Sequence, residues 1–70
     1  MITCLDPANW KIRFADGQGR LSCGRYRGRF RLRGGGMVQI TWIIGPKAGP
    51  DYARIQQAAA EACYRALQRH

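Results

Sequence analysis

Seventy residues with twelve Lys+Arg against four Asp+Glu, a formal net charge of +8, read as one small domain with a thin core. A chain of this size lacks the volume for a substrate pocket backed by a catalytic shell, and its longest apolar stretch is interrupted by Gln39 and Thr41, too short to span a membrane. Nothing reads as a signal peptide, the odd and widely spaced cysteines read as reduced thiols of a cytosolic protein, and the excess of positive charge points to a polyanionic partner.

In chain order, residues 1–9 form an N-terminal segment in which Ile2 to Leu5 is a candidate short strand. Asp6-Pro7 ends it, since a residue before proline is driven out of helical geometry. Trp10 to Ala15 alternates: Trp10, Ile12 and Phe14 point one way, Lys11 and Arg13 the other, as in a half-buried strand. Asp16-Gly17-Gln18-Gly19 reads as the following turn.

Arg20 to Arg33 is one long strand or two short ones. Leu21 and Cys23 share a face, but beyond Gly24 the apolar positions become Tyr26, Phe30 and Leu32. This change of parity predicts a bulge or tight bend at Cys23-Gly24-Arg25. Gly34 to Gly36 forms a hairpin loop rather than an arginine-glycine tail, and Met37 to Ile44 is the next strand. A three-glycine loop sets Arg33 opposite Met37, then Leu32 opposite Val38, Phe30 opposite Ile40, Gly28 opposite Trp42 and Tyr26 opposite Ile44. Gly28 then leaves room for the Trp42 indole, and Arg31 with Gln39 and Arg29 with Thr41 take the other face.

Residues 45–49 are a linker and 50–69 a helix, with Gly49 as N-cap, Pro50 as its first residue and Asp51 complementing the helix dipole. Tyr52, Ile55, Ala59, Ala62, Cys63, Ala66 and Leu67 form its apolar stripe, with Arg54, Gln57, Glu61, Arg65 and Gln68 opposite. The expected architecture is therefore α+β: a three- or four-stranded antiparallel sheet over residues 10–44 and one C-terminal helix on one of its faces. The strand Met37 to Ile44 is apolar and β-prone, and as an edge strand it calls for cover by the Ile2 to Leu5 segment or by a second copy of the chain.

The informative motif is Arg25-Tyr26-Arg27-Gly28-Arg29-Phe30-Arg31-Leu32-Arg33. On a strand its arginines share one face about 7 Å apart, and neighbours at that spacing repel by roughly 0.6 kcal/mol in water. Lys11, Arg13 and Arg20 are expected to join them from neighbouring strands. The candidate nucleic-acid-binding residues are thus Lys11, Arg13, Arg20, Arg27, Arg29, Arg31 and Arg33, with phosphate contacts for affinity and Arg-to-base contacts for preference. Tyr26 and Trp42, which could stack bases, fall on the core side.

Other chemistry finds no support. Cys4, Cys23 and Cys63 are widely spaced and odd in number, His70 is the lone histidine, and no disulfide framework, metal site or cofactor is expected. Cys63 has no base to activate it, Gly17-Gln18-Gly19 lacks the context of a phosphate loop, and no enzyme activity is expected.

In order of elements and polarity of faces, Trp10 to Gln68 resembles the plant AP2-type and integrase-arm DNA-binding modules, which lay a three-stranded sheet in the major groove with the helix behind it. The resemblance carries no residue motif, so no family residues are transferred. It implies DNA binding. The alternative is a phage-encoded inhibitor of the anti-CRISPR kind, whose basic face docks on an acidic or nucleoprotein surface of a host complex.

Overall fold

A computed structural model describes residues 3–69. Four strands, β1 (Lys11–Ala15), β2 (Gln18–Cys23), β3 (Tyr26–Arg33) and β4 (Met37–Ile44), form one antiparallel sheet in the order β1-β2-β3-β4, and α1 (Tyr52–Arg69) follows. The α+β arrangement with one C-terminal helix agrees with the sequence reading. No helix among the described residues is long and apolar enough to cross a membrane.

The turns explain the strand count. Asp16 (φ 55°) and Gly17 (φ 74°) both take left-handed backbone, which matches the twist of a two-residue hairpin. The turn is therefore shorter than expected, and Gln18 and Gly19 belong to β2. The change of parity after Cys23 is a second two-residue hairpin at Gly24-Arg25, with Gly24 at φ 59° and Tyr26 paired to Cys23. The stretch is two strands, and Arg25 sits in the turn instead of on the arginine ladder.

The β3–β4 register runs as expected from Arg33↔Met37 to Gly28↔Trp42. It then departs: Arg27, not Tyr26, faces Ile44, so Ile43 is an extra residue in a bulge. Tyr26 already pairs with Cys23, and its ring stacks on Trp10 with centroids 6.4 Å apart.

The N-terminal segment also differs. Thr3–Leu5 and Pro7–Asn9 are single 3-10 turns, not a strand, and Ile2 lies outside the described residues. Local chemistry favours the turns: the Asp6 carboxylate accepts from the Ala8 N–H at 2.9 Å, and the Asn9 amide donates to the Thr3 carbonyl at 3.0 Å. The segment packs against α1 and adds no strand beyond β4.

Helix α1 begins at Tyr52, two residues later than expected, because Pro50 and Asp51 are spent on a turn in which the Tyr52 N–H reaches the Gly49 carbonyl at 3.1 Å. Its buried stripe is Ile55, Ala58, Ala59, Ala62, Cys63 and Ala66. Ala58 joins the expected set, while Tyr52, in the first turn, is exposed.

The core lies between this alanine-rich stripe and the inner face of the sheet, where Trp10, Leu21, Cys23 and Phe30 are buried. Trp10 anchors one end: its Nε1–H donates to the Cys4 carbonyl at 2.9 Å and its ring meets Trp42 at 5.8 Å. Trp42 Nε1–H donates to the Gln56 side-chain oxygen at 3.0 Å, tying β4 to the helix.

Small residues on the sheet make room for these rings. A methyl group on Gly19 would lie 2.5 Å from the Phe30 ring, whereas one on Gly34 would meet nothing within 4 Å. Gly19→Ala is therefore expected to destabilise the fold by about 1–3 kcal/mol through overpacking, and Gly34→Ala to change it little. Urea unfolding of the two variants checks this; equal midpoints would overturn it.

Candidate nucleic-acid interface

The hairpin registers carry the cations of three strands into rows. Arg13 faces Arg20, which faces Arg29, so three arginines stand side by side on adjacent strands. In the next row Lys11 faces Ser22, which faces Arg27. Arg31 and Arg33 extend the ladder toward the glycine loop, opposite Gln39 and Met37. All seven expected residues, Lys11, Arg13, Arg20, Arg27, Arg29, Arg31 and Arg33, are exposed and share the sheet face that α1 does not cover.

Cross-strand neighbours stand about 5 Å apart at Cβ, and like charges set directly opposite each other are destabilising by up to about 1 kcal/mol per pair. Nothing acidic relieves this within the face. The ion pairs among the described residues, Arg54 with Asp51 at 3.8 Å and Arg65 with Glu61 at 2.7 Å, lie at the start of the helix and within it. Asp6 caps a turn and Asp16 occupies the first hairpin. Among the described residues the side-chain acceptor that the ladder uses is Gln39: its side-chain oxygen receives Arg33 at 2.7 Å and Arg31 at 3.4 Å.

Two shallow depressions meet at Arg29. The first is lined by Lys11, Arg13, Arg20, Ser22, Arg27 and Arg29 with Ile43 among them, the second by Gln18, Arg29, Arg31, Gln39 and Thr41. Ile43 was not foreseen on this face. Its place follows from the parity of Gln39 and Thr41 combined with the bulge, and its exposure is visible only in the folded sheet. The aromatic side chains Trp10, Tyr26, Trp42, Phe14 and Phe30 all join the core on the other side, as expected for Tyr26 and Trp42.

The cysteines stand apart from this face. Cys4, Cys23 and Cys63 are free and buried. Burial pushes the Cys63 thiol from 9.0 up to about 12; it pushes Cys4 up to about 11, with the neighbouring Cys23 adding to the shift. Thiols held neutral in this way are poor nucleophiles.

Comparison of the chain with protein-family models, with curated proteins and with solved structures gives no match in any of the three.

Two outcomes follow from this geometry. Replacing the middle guanidinium of the row, as in Arg20→Thr, should raise stability at low ionic strength, with the gain fading as salt screens the face; an Arg20→Thr protein no more stable than the parent in dilute buffer would refute the repulsion. The Cys4 and Cys63 thiols set an alkaline limit. Their folded pKa values lie above the unfolded 9.0, so their contribution is complete below about pH 9 and is lost as pH rises toward 11 to 12. Urea midpoints measured from pH 8 to 11 should fall, and thiol reagent at pH 8 should label the cysteines only after denaturant is added.

Proposed function

We propose that this protein is a non-catalytic nucleic-acid-binding module that lays its cationic sheet face on the phosphate backbone of DNA or RNA. The observation that carries the reading is the row Arg13–Arg20–Arg29 flanked by Lys11 and Arg27, with no carboxylate partner for any of them among the described residues. A surface of this kind is mildly self-destabilising in isolation and gains when anions enter it. Guanidinium forks grip phosphate oxygens bidentately, and their displacement of condensed counterions adds a salt-dependent driving force. In this reading Ser22, between Lys11 and Arg27, donates its hydroxyl to the same backbone. The cytoplasm is the proposed setting, since there thiols such as the three buried ones stay reduced.

Fluorescence anisotropy with labelled duplex DNA, single-stranded DNA and RNA across a salt series tests the proposal. The logarithm of affinity should fall with the logarithm of salt with a slope of about 4 to 6, set by the number of phosphates engaged. Arg29→Glu with Arg31→Glu should abolish binding, while Arg54→Gln, on the helix, should leave it intact. Binding indifferent to salt would refute the reading. A protein that purifies free of nucleic acid, retards none on a gel and holds one acidic host complex would instead establish the inhibitor alternative.

A further inference from the structure

The sheet has two edges of unlike character. The β1 edge carries Lys11 and Arg13, whereas all eight residues of β4, Met37 to Ile44, are uncharged. Charge, proline, cover and bulging are the usual means of blunting an edge; β4 has the bulge at Ile43 but no charge or proline, and among the described residues no strand pairs with its outer side. Four of the six exposed large hydrophobic residues among those described gather here, the other two being Tyr52 and Tyr64 of α1. Met37 (70%), Ile43 (60%) and Ile44 (48%) belong to β4, and Leu32 (54%) lies beside it opposite Val38.

We propose that the β4 edge pairs antiparallel with the β4 of a second copy, joining two four-stranded sheets into one of eight. The occupant is argued from self-complementarity. A two-fold axis at Ile40 sets Ile40 against its own copy, Trp42 against Val38 on the helix side, Thr41 against Gln39 and Ile43 against Met37 on the cationic side. Each pair keeps to one face of the sheet, as antiparallel pairing requires, and no charge faces a charge. The two most exposed apolar residues of the strand thereby cover each other.

The net charge of +8 on each copy does not forbid this. The nearest ladders, on β3 of either copy, are three strand spacings apart, about 14 Å. That exceeds the screening length of about 8 Å at physiological ionic strength. The pairing also carries the seven cations of each copy onto one continuous face, so the second copy extends the proposed interface. The inference does not require that interface to bind nucleic acid, and salt separates the two: dimerisation should strengthen as salt rises, whereas nucleic-acid binding should weaken.

Sedimentation equilibrium on the full chain, freed of nucleic acid, tests the association from about 0.05 to 0.5 M salt. A dimer that tightens with salt is expected, weakened at least about tenfold by Ile43→Lys, which alters an exposed side chain and should leave the circular dichroism spectrum unchanged. Register is read by mixing Met37→Cys and Ile43→Cys proteins under mild oxidation: these two should cross-link to each other in preference to themselves, because directly opposed residues bring Cα atoms within disulfide range. The native thiols are buried and do not compete. A monomer at every salt concentration, or cross-linking with no preference between the two positions, would overturn the proposal.

Discussion

A pleated strand sends successive side chains to opposite sides, and in this chain that alternation forces seven cations into one layer while Trp10, Ile12, Phe14, Leu21, Phe30 and Trp42 fill the other. Both layers are then under constraint. The cations repel across the rows, so the inner layer has to supply enough cohesion to hold the sheet together against them. Burying an aromatic or large aliphatic side chain is worth about 1.5–3 kcal/mol, more than the repulsion of one exposed pair. A few well-packed rings are therefore sufficient, and Trp10, Phe30 and Trp42 are the principal ones.

Those rings fit because the sequence places small residues against them. Gly19 lies beneath the Phe30 ring and Gly28 beside the Trp42 indole, and the helix presents alanines where larger side chains would hold it away from the sheet. The polar handles of the two tryptophans are satisfied in the same arrangement, one by the Cys4 carbonyl of an N-terminal turn and the other by Gln56 of α1. Turn, sheet and helix are thus linked through two indoles. With the aromatic groups of the sheet committed to this inner layer, the outer face presents cations, hydrogen-bonding side chains and the apolar Ile43.

The outer face and the β4 edge differ in chemistry but share a boundary at Ile43. Bulging at that residue sets an exposed apolar side chain beside Arg27 and Arg29 in the depression on the cationic face. Electrostatic attraction to an anion and apolar pairing along β4 respond oppositely to salt, so ionic strength would govern how the two surfaces are used.

Much of this was legible in the sequence. Period-two alternation identifies Trp10 to Ala15 and the arginine ladder as strands. The three-glycine loop fixes most of the β3–β4 register, because a slip of one residue would turn arginines into the core. Spacings of three and four residues identify the helix and most of its buried stripe. These are short-range properties, set by backbone geometry and side-chain polarity. Tertiary structure alone decided that Thr3–Leu5 coils against α1 instead of adding a strand, that Arg25 leaves the ladder for a turn, and that Ile43 bulges so that Arg27 meets Ile44. It also decided that Arg13, Arg20 and Arg29 fall in a single row. Each of these depends on which groups compete for the same space or the same backbone partner, and that competition exists only once strands distant in sequence lie side by side.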